Sequence, residues 1–421
     1  MVLSSTQAVG DVDKRTGTGV FALLGIAIVI GSYVINAMDR TLFPLILPEV
    51  RREFDFNLPE AGLMSTVFTI GMALAGLPTG YLMSRYRRKS VVQTGIFIFS
   101  AATLFTVWAS GFADMLFYRA LTGIGEAMQL TALLAIVASY FGRYGAVGIG
   151  AVNCAYGVGA VLGPLLGTAI LSVYGTWRAP MIGFGIIGFA MILAVAVFVR
   201  PSVSEAKKSS GTRAFAFGGA QTLRNRNTLL LVLLSCIAGL AIFGFLGMYP
   251  TYLREQLHFT PADTGKIMSV YGLGVLVSVG GGLVGDRFPV RRVLVVSFLI
   301  AAGIGWLLFN GPADFTAHVA LAFAFGVVFS GSIYVNLAAY HVRAVDGELS
   351  GRASGIFVTS FYAAASLAGY TIGGLAARFG WTVAGDLQLC AMCLAGVVLA
   401  LALNPDLMAR HTAKSADCRL L

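Results

Sequence analysis

INAMDRTLFP, residues 35–44, lies inside the first long apolar run of the chain, which extends from about residue 20 to residue 47. A run of this length can cross the ~30 Å hydrocarbon core of a bilayer as a helix. It nevertheless contains two adjacent charges, Asp39 and Arg40. Because each charge costs roughly 2.5–3.5 kcal/mol at the centre of a membrane helix, we expect both to face protein or a water-filled cavity.

A second pair of charges, Arg119 and Glu126, interrupts the fourth apolar run. The two residues are two helical turns apart, so a helix places them on the same face. Two acids and two arginines within the membrane-spanning part of the chain's first half predict a site for an anion and for protons. The alternative is a permanent lattice of ion pairs that holds two helices together.

The composition indicates a membrane protein. The 421-residue chain is 57% hydrophobic and only 11% charged, with a mean hydropathy of +0.82. Soluble proteins carry about 25% charged residues. We therefore predict an all-α polytopic membrane protein embedded in the lipid bilayer.

The net charge of +10 would suit a nucleic-acid-binding protein, but its distribution indicates membrane topology instead. With loops assigned alternately from a cytoplasmic N-terminus, 21 of the 29 Lys and Arg residues lie on the cytoplasmic side, six lie on the other side, and Arg40 and Arg119 lie in the membrane. Cytoplasmic loops of membrane proteins carry this excess. We expect both termini in the cytoplasm and no nucleic-acid partner.

Apolar runs of spanning length occur in two sets of six, separated by a polar and basic interval. We predict a cytoplasmic N-terminal tail (1–19), a six-helix bundle (20–199), a cytoplasmic linker (200–227), a second six-helix bundle (228–404) and a cytoplasmic C-terminal tail (405–421). The twelve predicted helices cover 20–47, 60–83, 90–110, 113–138, 145–173, 180–199, 228–250, 265–284, 292–310, 316–340, 351–375 and 385–404.

The two halves share sequence features at a spacing of about 200 residues, which is typical of transporters built from repeats. In each half a glycine followed by a basic cluster closes the second helix of the set. A glycine allows two helices to approach closely, and the basic residues anchor a short cytoplasmic turn. These residues are Gly80, Arg85 and Arg88 in the first copy and Gly282, Asp286 and Arg287 in the second.

On these segments the chain resembles the major facilitator superfamily, and the resemblance covers essentially all of residues 20–405. The segments at Gly80 and Gly282 are similar to the superfamily's loop motif, but Ser84 and Arg87 replace its acid and its second glycine in the first copy. The resemblance implies that the motif acid stabilises the outward-open state. This stabilisation is then weaker here, or it depends on Asp286 of the second copy.

Two further segments are similar to superfamily motifs of the fourth and fifth helices. They are the segment around Arg119 and the one that contains Gly159, Gly163 and Pro164. The resemblance implies twelve transmembrane helices in two six-helix pseudo-repeats that rock about a central cavity, with the loop and glycine–proline residues serving the conformational change. The fifth-helix motif is often associated with antiporters, so export of a small organic molecule stays open.

Within the superfamily, Asp39-Arg40 together with RALTGIGEA, residues 119–127, resembles the anion:cation symporter family, which includes sugar-acid carriers and sialin-type transporters. Spinster-type transporters of lysolipids and sphingolipids share both signatures. The first resemblance implies proton-coupled symport of a small carboxylate or sugar acid. The second implies movement of a lipid through a lateral opening.

Arg40 and Arg119 are the predicted substrate ligands, because a planar guanidinium binds a carboxylate with two parallel hydrogen bonds. Asp39 and Glu126 are the predicted proton sites. Burial favours the protonated form of an acid and a neighbouring arginine favours the ionised form, so an anion that competes for the arginine would drive proton uptake. The resemblance to the anion symporters implies the same role for these acids.

The second half has no acid or arginine well inside a predicted helix. We predict Asn336 and Tyr362 as its substrate contacts, with interhelical packing as the alternative. Four scattered histidines predict no metal site, and nothing offers a nucleophile–base pair, so we expect neither an enzyme nor a cofactor, with a proton gradient as the energy source. The chain has no Asn-x-Ser/Thr site, which favours a bacterial inner membrane, and we expect a monomer.

Overall fold

The fold is almost entirely helical. A computed structural model of the chain describes residues 5–141, 145–205, 219–346 and 349–408. In these ranges, eleven helices are long and apolar enough to cross a membrane, and two more helices that meet at a 42° bend form a twelfth span. The predicted all-α, twelve-helix membrane architecture is confirmed.

The spans run in chain order with short connections. Those of the first half are α1 (Phe21–Phe54, with helical backbone from Ser5), α2 (Leu58–Thr66 and Phe68–Arg85), α3 (Arg88–Trp108), α4 (Phe112–Phe141), α5 (Gly148–Tyr174) and α6 (Arg178–Phe198). Those of the second half are α7 (Arg226–Glu255), α8 (Pro261–Leu276 and Ser278–Arg287), α9 (Val290–Asn310), α10 (Phe315–Arg343), α11 (Ser350–Phe379) and α12 (Trp381–Leu401). A short helix, Pro201–Ser204, follows α6.

Polar residues in the short connections fix where several helices begin. Asn57 and Glu60 form a capping box at the start of α2, in which each side chain accepts a hydrogen bond from the other residue's backbone N–H. Asn225 accepts a hydrogen bond from the Thr228 N–H at the start of α7. Gly380 separates α11 from α12 at a φ of +84°, where a residue with a side chain would be strained.

The two halves meet along paired helices. α2 packs on α11, α5 packs on α8, and α1 packs on α7. At two of these contacts glycine is required by space: a Cβ at Gly62 would overlap the backbone at Gly369, and one at Gly272 would overlap the backbone of Ala160. The second and fifth helices of the first half, α2 and α5, correspond to α8 and α11 of the second half. The α2–α11 and α5–α8 contacts are therefore equivalent under the pseudo-symmetry of the two repeats.

The ends of the helices define two faces. The termini face is the one at which α1 begins and α12 ends, and the opposite face is the one at which α1 and α7 end. On the opposite face, Arg51 of α1 binds Glu255 of α7 at 2.6 Å, and Arg254 of α7 binds Glu49 of α1 at 2.6 Å. The two ion pairs are reciprocal and join the halves at this face.

Gly80, near the termini face, does not make the close helix contact that we predicted. It is exposed, and a Cβ there would meet no atom of the described residues within 4 Å. Within the part of the chain that the structure describes, a Cβ at Gly282 would meet only Val335, at an ordinary 3.7 Å. Close packing in α2 occurs deeper in the bundle, where Gly71 lies against the backbone of Ala120.

Candidate functional site

A cavity of about 100 Å³ lies between the two halves. α1 and α5 line it from the first half, and α7, α8, α10 and α11 line it from the second. Arg40 carries the only full charge among the lining residues that the structure describes. The polar lining residues are Tyr33, Arg40, Asn153, Tyr156, Tyr271, Ser278, Ser330, Tyr334 and Tyr362.

Arg40 pairs with a buried acid behind the cavity wall. Its Nε donates a hydrogen bond to Glu126 Oε2 at 2.8 Å. Arg40 is 7% exposed and Glu126 is completely buried. Arg40 Nη2 and Glu126 Oε1 have no hydrogen-bond partner among the described residues, so each group retains a free bonding position.

The second pair of predicted charges is looser. Arg119 Nη1 lies 3.8 Å from Asp39 Oδ2, which is an ionic contact without a hydrogen bond. Asp39 Oδ1 accepts a hydrogen bond from Thr103 Oγ1 at 2.8 Å. The Arg119 guanidinium carbon lies 4.5 Å from the ring centre of Phe43 and 5.5 Å from that of Phe68. Arg119 is therefore held by one carboxylate and two aromatic faces.

The four predicted charges come together, but only Arg40 lines the cavity. Arg119 is completely buried and Asp39 is 3% exposed, because both side chains point between helices of the first half. The predicted contact between Arg119 and substrate is therefore not made in this arrangement. It stays a prediction for other states of the protein.

A ladder of uncharged polar groups fixes α1 against α4 beside these charges. Asn36 Nδ2 donates to Gln129 Oε1 at 2.8 Å and to the Glu126 carbonyl at 3.3 Å. Gln129 Nε2 donates to Ser32 Oγ at 2.9 Å. Ser32, Asn36 and Arg40 follow one another at four-residue spacing on one face of α1, so the ladder orients the face that carries Arg40.

The two residues predicted in the second half differ in position. Tyr362 lines the cavity. Asn336 is 2% exposed and donates to the carbonyls of Gly281, at 3.1 Å, and Ser332, at 2.9 Å. It holds α10 to α8 and does not line the cavity. A carbonyl within reach on the neighbouring helix satisfies the amide more directly than the cavity would.

Several lining residues were not predicted. Tyr33 lies seven positions before Arg40, and this spacing could have placed it on the same face of α1. Ser330 reaches the cavity from a π-helical segment of α10, Gly326–Tyr334, and accepts or donates a hydrogen bond at 2.8 Å with the Tyr271 hydroxyl. The wider turn of a π-helix changes which residues face the cavity, and no pattern in the sequence indicated it.

The second half supplies an aromatic wall, formed by Phe243, Tyr334, Phe361 and Tyr362. Ring centroids lie 6.0 Å apart for Phe243 and Tyr362, 5.2 Å for Phe361 and Tyr362, and 5.0 Å for Tyr334 and Phe361. These are tilted or edge-to-face arrangements, which aromatic pairs prefer. The wall belongs to the half of the molecule opposite to that of Arg40 and lines the same cavity.

Of the loop residues predicted to serve the conformational change, Arg88 supports helix packing in this arrangement. Arg88 Nη1 donates to Ser139 Oγ of α4 at 2.7 Å, and Arg85 lies 4.9 Å from the ring centre of Tyr81. Asp286 and Arg287 are exposed at the end of α8.

The fifth-helix motif also serves packing here. Gly159 and Gly163 bring α5 close to α1, since a Cβ at either would overlap atoms of Val34 or Met38. The Pro164 carbonyl accepts a hydrogen bond from Thr168 Oγ1 at 2.7 Å. The gating role of these motif residues stays a prediction.

Comparison with known proteins identifies the family. The chain is 28% identical to the Sphingosine-1-phosphate transporter SPNS2 of Xenopus tropicalis over 59% of this chain and 52% of that protein, so the match spans about half that relative's length. It is 24% identical to the Hexuronate transporter of Bacillus subtilis over 72% of this chain and 76% of that protein.

The fold matches the crystal structure of a bacterial homologue of the human lysosomal transporter spinster in an inward-facing and occupied conformation. The TM-score is 0.71, with 16% identity over 90% of this chain and 94% of that one. Residues 29–369 match the sequence profile of the Major Facilitator Superfamily, and the chain belongs to that superfamily.

Proposed function

We propose that this chain is a secondary active transporter that moves a small organic anion together with protons by alternating access. The observation that carries the proposal is the pairing of Arg40, the charged residue of the described cavity lining, with Glu126, which is completely buried. A cavity with one cationic side chain suits a substrate with one anionic group. The guanidinium of Arg40, which lines the cavity, is the group that would bind it.

The coupling follows from charge balance. With the cavity empty, Arg40 balances the negative charge of Glu126 at 2.8 Å. A carboxylate bound at Arg40 would leave two anions beside one cation in a region of low dielectric, which is costly. Proton uptake by Glu126 restores neutrality, so substrate and proton would bind together.

Neutrality also explains why the loaded protein would change state. A charge that moves through the membrane interior costs several kcal/mol, whereas a neutral, occluded cavity avoids this cost. Asp39 neutralises Arg119 while the cavity is empty and is the second proton site in this proposal. Its Oδ1 accepts a hydrogen bond from Thr103 Oγ1 while the cavity is empty.

The relatives support an anionic cargo of either small or lipid-like size. The hexuronate transporter is named for a sugar acid, which agrees with a small carboxylate. Spinster-like movement of a lysolipid is the second candidate. The aromatic wall opposite Arg40 favours it, since this side of the cavity offers contacts to an apolar group, and one relative is named for sphingosine-1-phosphate, an amphipathic anion.

Orientation and assembly complete the proposal. We place the termini face in the cytoplasm of a bacterial cell, with the chain in the inner membrane as a monomer. The two ion pairs that join the halves at the opposite face then make this arrangement an inward-facing one. In this orientation an inward proton gradient drives import of the anion.

Proteoliposomes with an imposed inward proton gradient test the coupling. Labelled sugar acids, hydroxy acids, aromatic acids and a lysophospholipid would be offered to wild type and to Glu126→Gln. Glu60→Gln is the matched control, because it makes the same change at a half-buried capping position where glutamine also serves. We expect wild type and the control to accumulate one acid, and Glu126→Gln to exchange it without accumulation.

The outcomes separate the candidates. If only the lysophospholipid moves, the second candidate replaces the first. If Glu126→Gln accumulates the acid as well as wild type does, the buried pair is a structural lattice and the proposed coupling is wrong.

A further inference from the structure

A groove of about 450 Å³ lies on the outer surface of the second half. The last ten residues of α11, part of α12 and Leu240 of α7 form it, with Pro59 of α2 at its edge. Three of its side chains are strongly exposed: Tyr370 (51%), Phe379 (62%) and Leu387 (45%). Because α11 and α12 are membrane spans, this exposed apolar surface faces lipid.

A cation stands at one end of the groove. Arg378 is exposed, next to the end of α11 at the opposite face, and has no ion pair among the described residues. By contrast, Arg51, Arg178 and Arg254 of this face each bind a carboxylate. The charge of Arg378 is therefore available to an anion from outside the protein.

The dimensions fit one leaflet of a bilayer. Tyr370 lies eight residues before Arg378, about 12 Å along the helix at 1.5 Å per residue. Half of the ~30 Å hydrocarbon core is about 15 Å. An anion at Arg378 would thus lie at headgroup depth while the groove continues beside the acyl chains.

The floor of the groove suits hydrocarbon. Its most buried polar side chain, Gln388, has its hydrogen bonds satisfied within the protein. Gln388 Oε1 accepts from Thr371 Oγ1 at 2.8 Å, and Nε2 donates to the carbonyls of Leu240 and Ala368 at 3.1 and 2.8 Å. An acyl chain placed here would therefore leave the amide of Gln388 hydrogen-bonded.

We propose that this groove binds an anionic phospholipid of the surrounding bilayer, with its phosphate on Arg378 and one acyl chain in the groove. The site is separate from the transport cavity, since the two share no lining residue. The groove lies on α11, which contacts α2 across the halves through the hydrogen bond from Thr66 Oγ1 to the Ser366 carbonyl. Bound lipid therefore stabilises a helix of the interface between the halves.

Thermal unfolding of the full-length, delipidated protein in detergent tests the site. Phosphatidylglycerol, phosphatidylcholine and lysophosphatidylglycerol would be titrated into wild type, Arg378→Gln and Arg52→Gln. Arg52 is the matched control, because it is also exposed near the opposite face and has no ion pair among the described residues. We expect phosphatidylglycerol to raise Tm at about fivefold lower concentration than phosphatidylcholine, an advantage that Arg378→Gln loses and Arg52→Gln keeps.

A second variant tests the groove itself. Among the described residues, a Cβ at Gly374 would meet only Pro59, at 4.0 Å. Gly374→Leu therefore fills the groove without moving the backbone and should weaken binding of both diacyl lipids. Three results would overturn the proposal. Arg378→Gln could prefer phosphatidylglycerol over phosphatidylcholine as strongly as wild type does, Arg52→Gln could lose this preference, or the lysolipid alone could raise Tm. If Gly374→Leu does not fold, the surface variant Arg378→Gln decides.

Discussion

The first half of the molecule presents Arg40 to the central cavity, with three more buried charges packed behind it, whereas the second half presents Phe243, Tyr334, Phe361 and Tyr362. Hydrogen bonds from Asn36 and Gln129 support the charged side. Edge-to-face contacts between the rings support the aromatic side. The two pseudo-repeats therefore line one cavity with different chemistries.

This difference separates two tasks of a transporter. A buried charge is sensitive to every neighbouring charge, so the first half can sense an anion and respond with a proton. Aromatic packing does not titrate: Phe325, for example, stacks on Phe245 and Phe329 with centroids 3.9 and 4.0 Å apart. The second half can therefore select substrates by their shape and polarity without altering the coupling between anion and proton.

Arg40→Gln should have the largest effect, because it removes the charge from the cavity. Glu126 would lose its hydrogen-bonded partner while completely buried, a situation that costs about 3–5 kcal/mol when a buried pair is broken. We expect uptake of the anion to fall more than about 100-fold and thermal stability to decrease. Initial uptake rates and unfolding temperatures in detergent measure both.

A double variant distinguishes the loss of uptake from the loss of thermal stability. Arg40→Gln combined with Glu126→Gln leaves no unpaired charge at this pair, so stability should return while uptake stays absent. Uptake in Arg40→Gln at the wild-type rate would show that the cavity does not hold its anion at Arg40.

Phe243→Ala tests the aromatic side and should have a smaller effect. Its ring touches those of Phe361 and Tyr362, with centroids 6.0 Å from each, and removing it takes away apolar contact worth about 1.5 kcal/mol, or roughly tenfold in KM. The increase should appear for an acid with an apolar group and not for a sugar acid. Uptake assays at several pH values should show an unchanged pH dependence, and a changed one would contradict the division of tasks.

The sequence predicts the charged side of the site better than the aromatic side. Asp39, Arg40, Arg119 and Glu126 are conspicuous because charge is rare in apolar helices, and helical spacing alone placed the last two on one face. Tyrosine and phenylalanine are common in membrane spans, so nothing marked Phe243 as a lining residue. The cavity depends on how two distant segments meet, which composition does not determine.

Local geometry explains the remaining differences. The π-helical segment Gly326–Tyr334 alters the helical phase of α10, so a regular helix drawn from the sequence points the wrong residues to the cavity. Gly80 was expected at a close contact, but in this arrangement no atom of the described part of the chain lies within 4 Å of a Cβ there. The twelve spans were predictable because spanning length and apolar content follow from the bilayer itself.

The ion pairs of the opposite face test how firmly the two halves are held in this state. Arg51→Glu would place like charges beside Glu255, and an exposed or half-exposed pair contributes about 0.2–1 kcal/mol, so the balance of states should shift about fivefold or less. Thr66 is completely buried between the halves. The substitution Thr66→Cys, made in a variant that lacks the native cysteines, allows the shift to be measured as the rate of thiol labelling at this position. Its labelling should increase with Arg51→Glu and return to the starting rate when Glu255→Arg is added.

Asn336→Ala should have the smallest effect on transport. Its amide donates to the Gly281 and Ser332 carbonyls, so the loss falls on the packing of α10 against α8 and should cost about 1–3 kcal/mol of stability. Because Asn336 does not line the cavity, KM should change less than about twofold. Tyr362→Phe is the contrasting variant, since it removes a hydroxyl from the lining while preserving the ring. Its KM should rise, with little change in unfolding temperature. If Asn336→Ala instead raises KM more than Tyr362→Phe does, the amide must turn into the cavity during the cycle, and the second half would contribute a polar contact that this arrangement keeps between its helices.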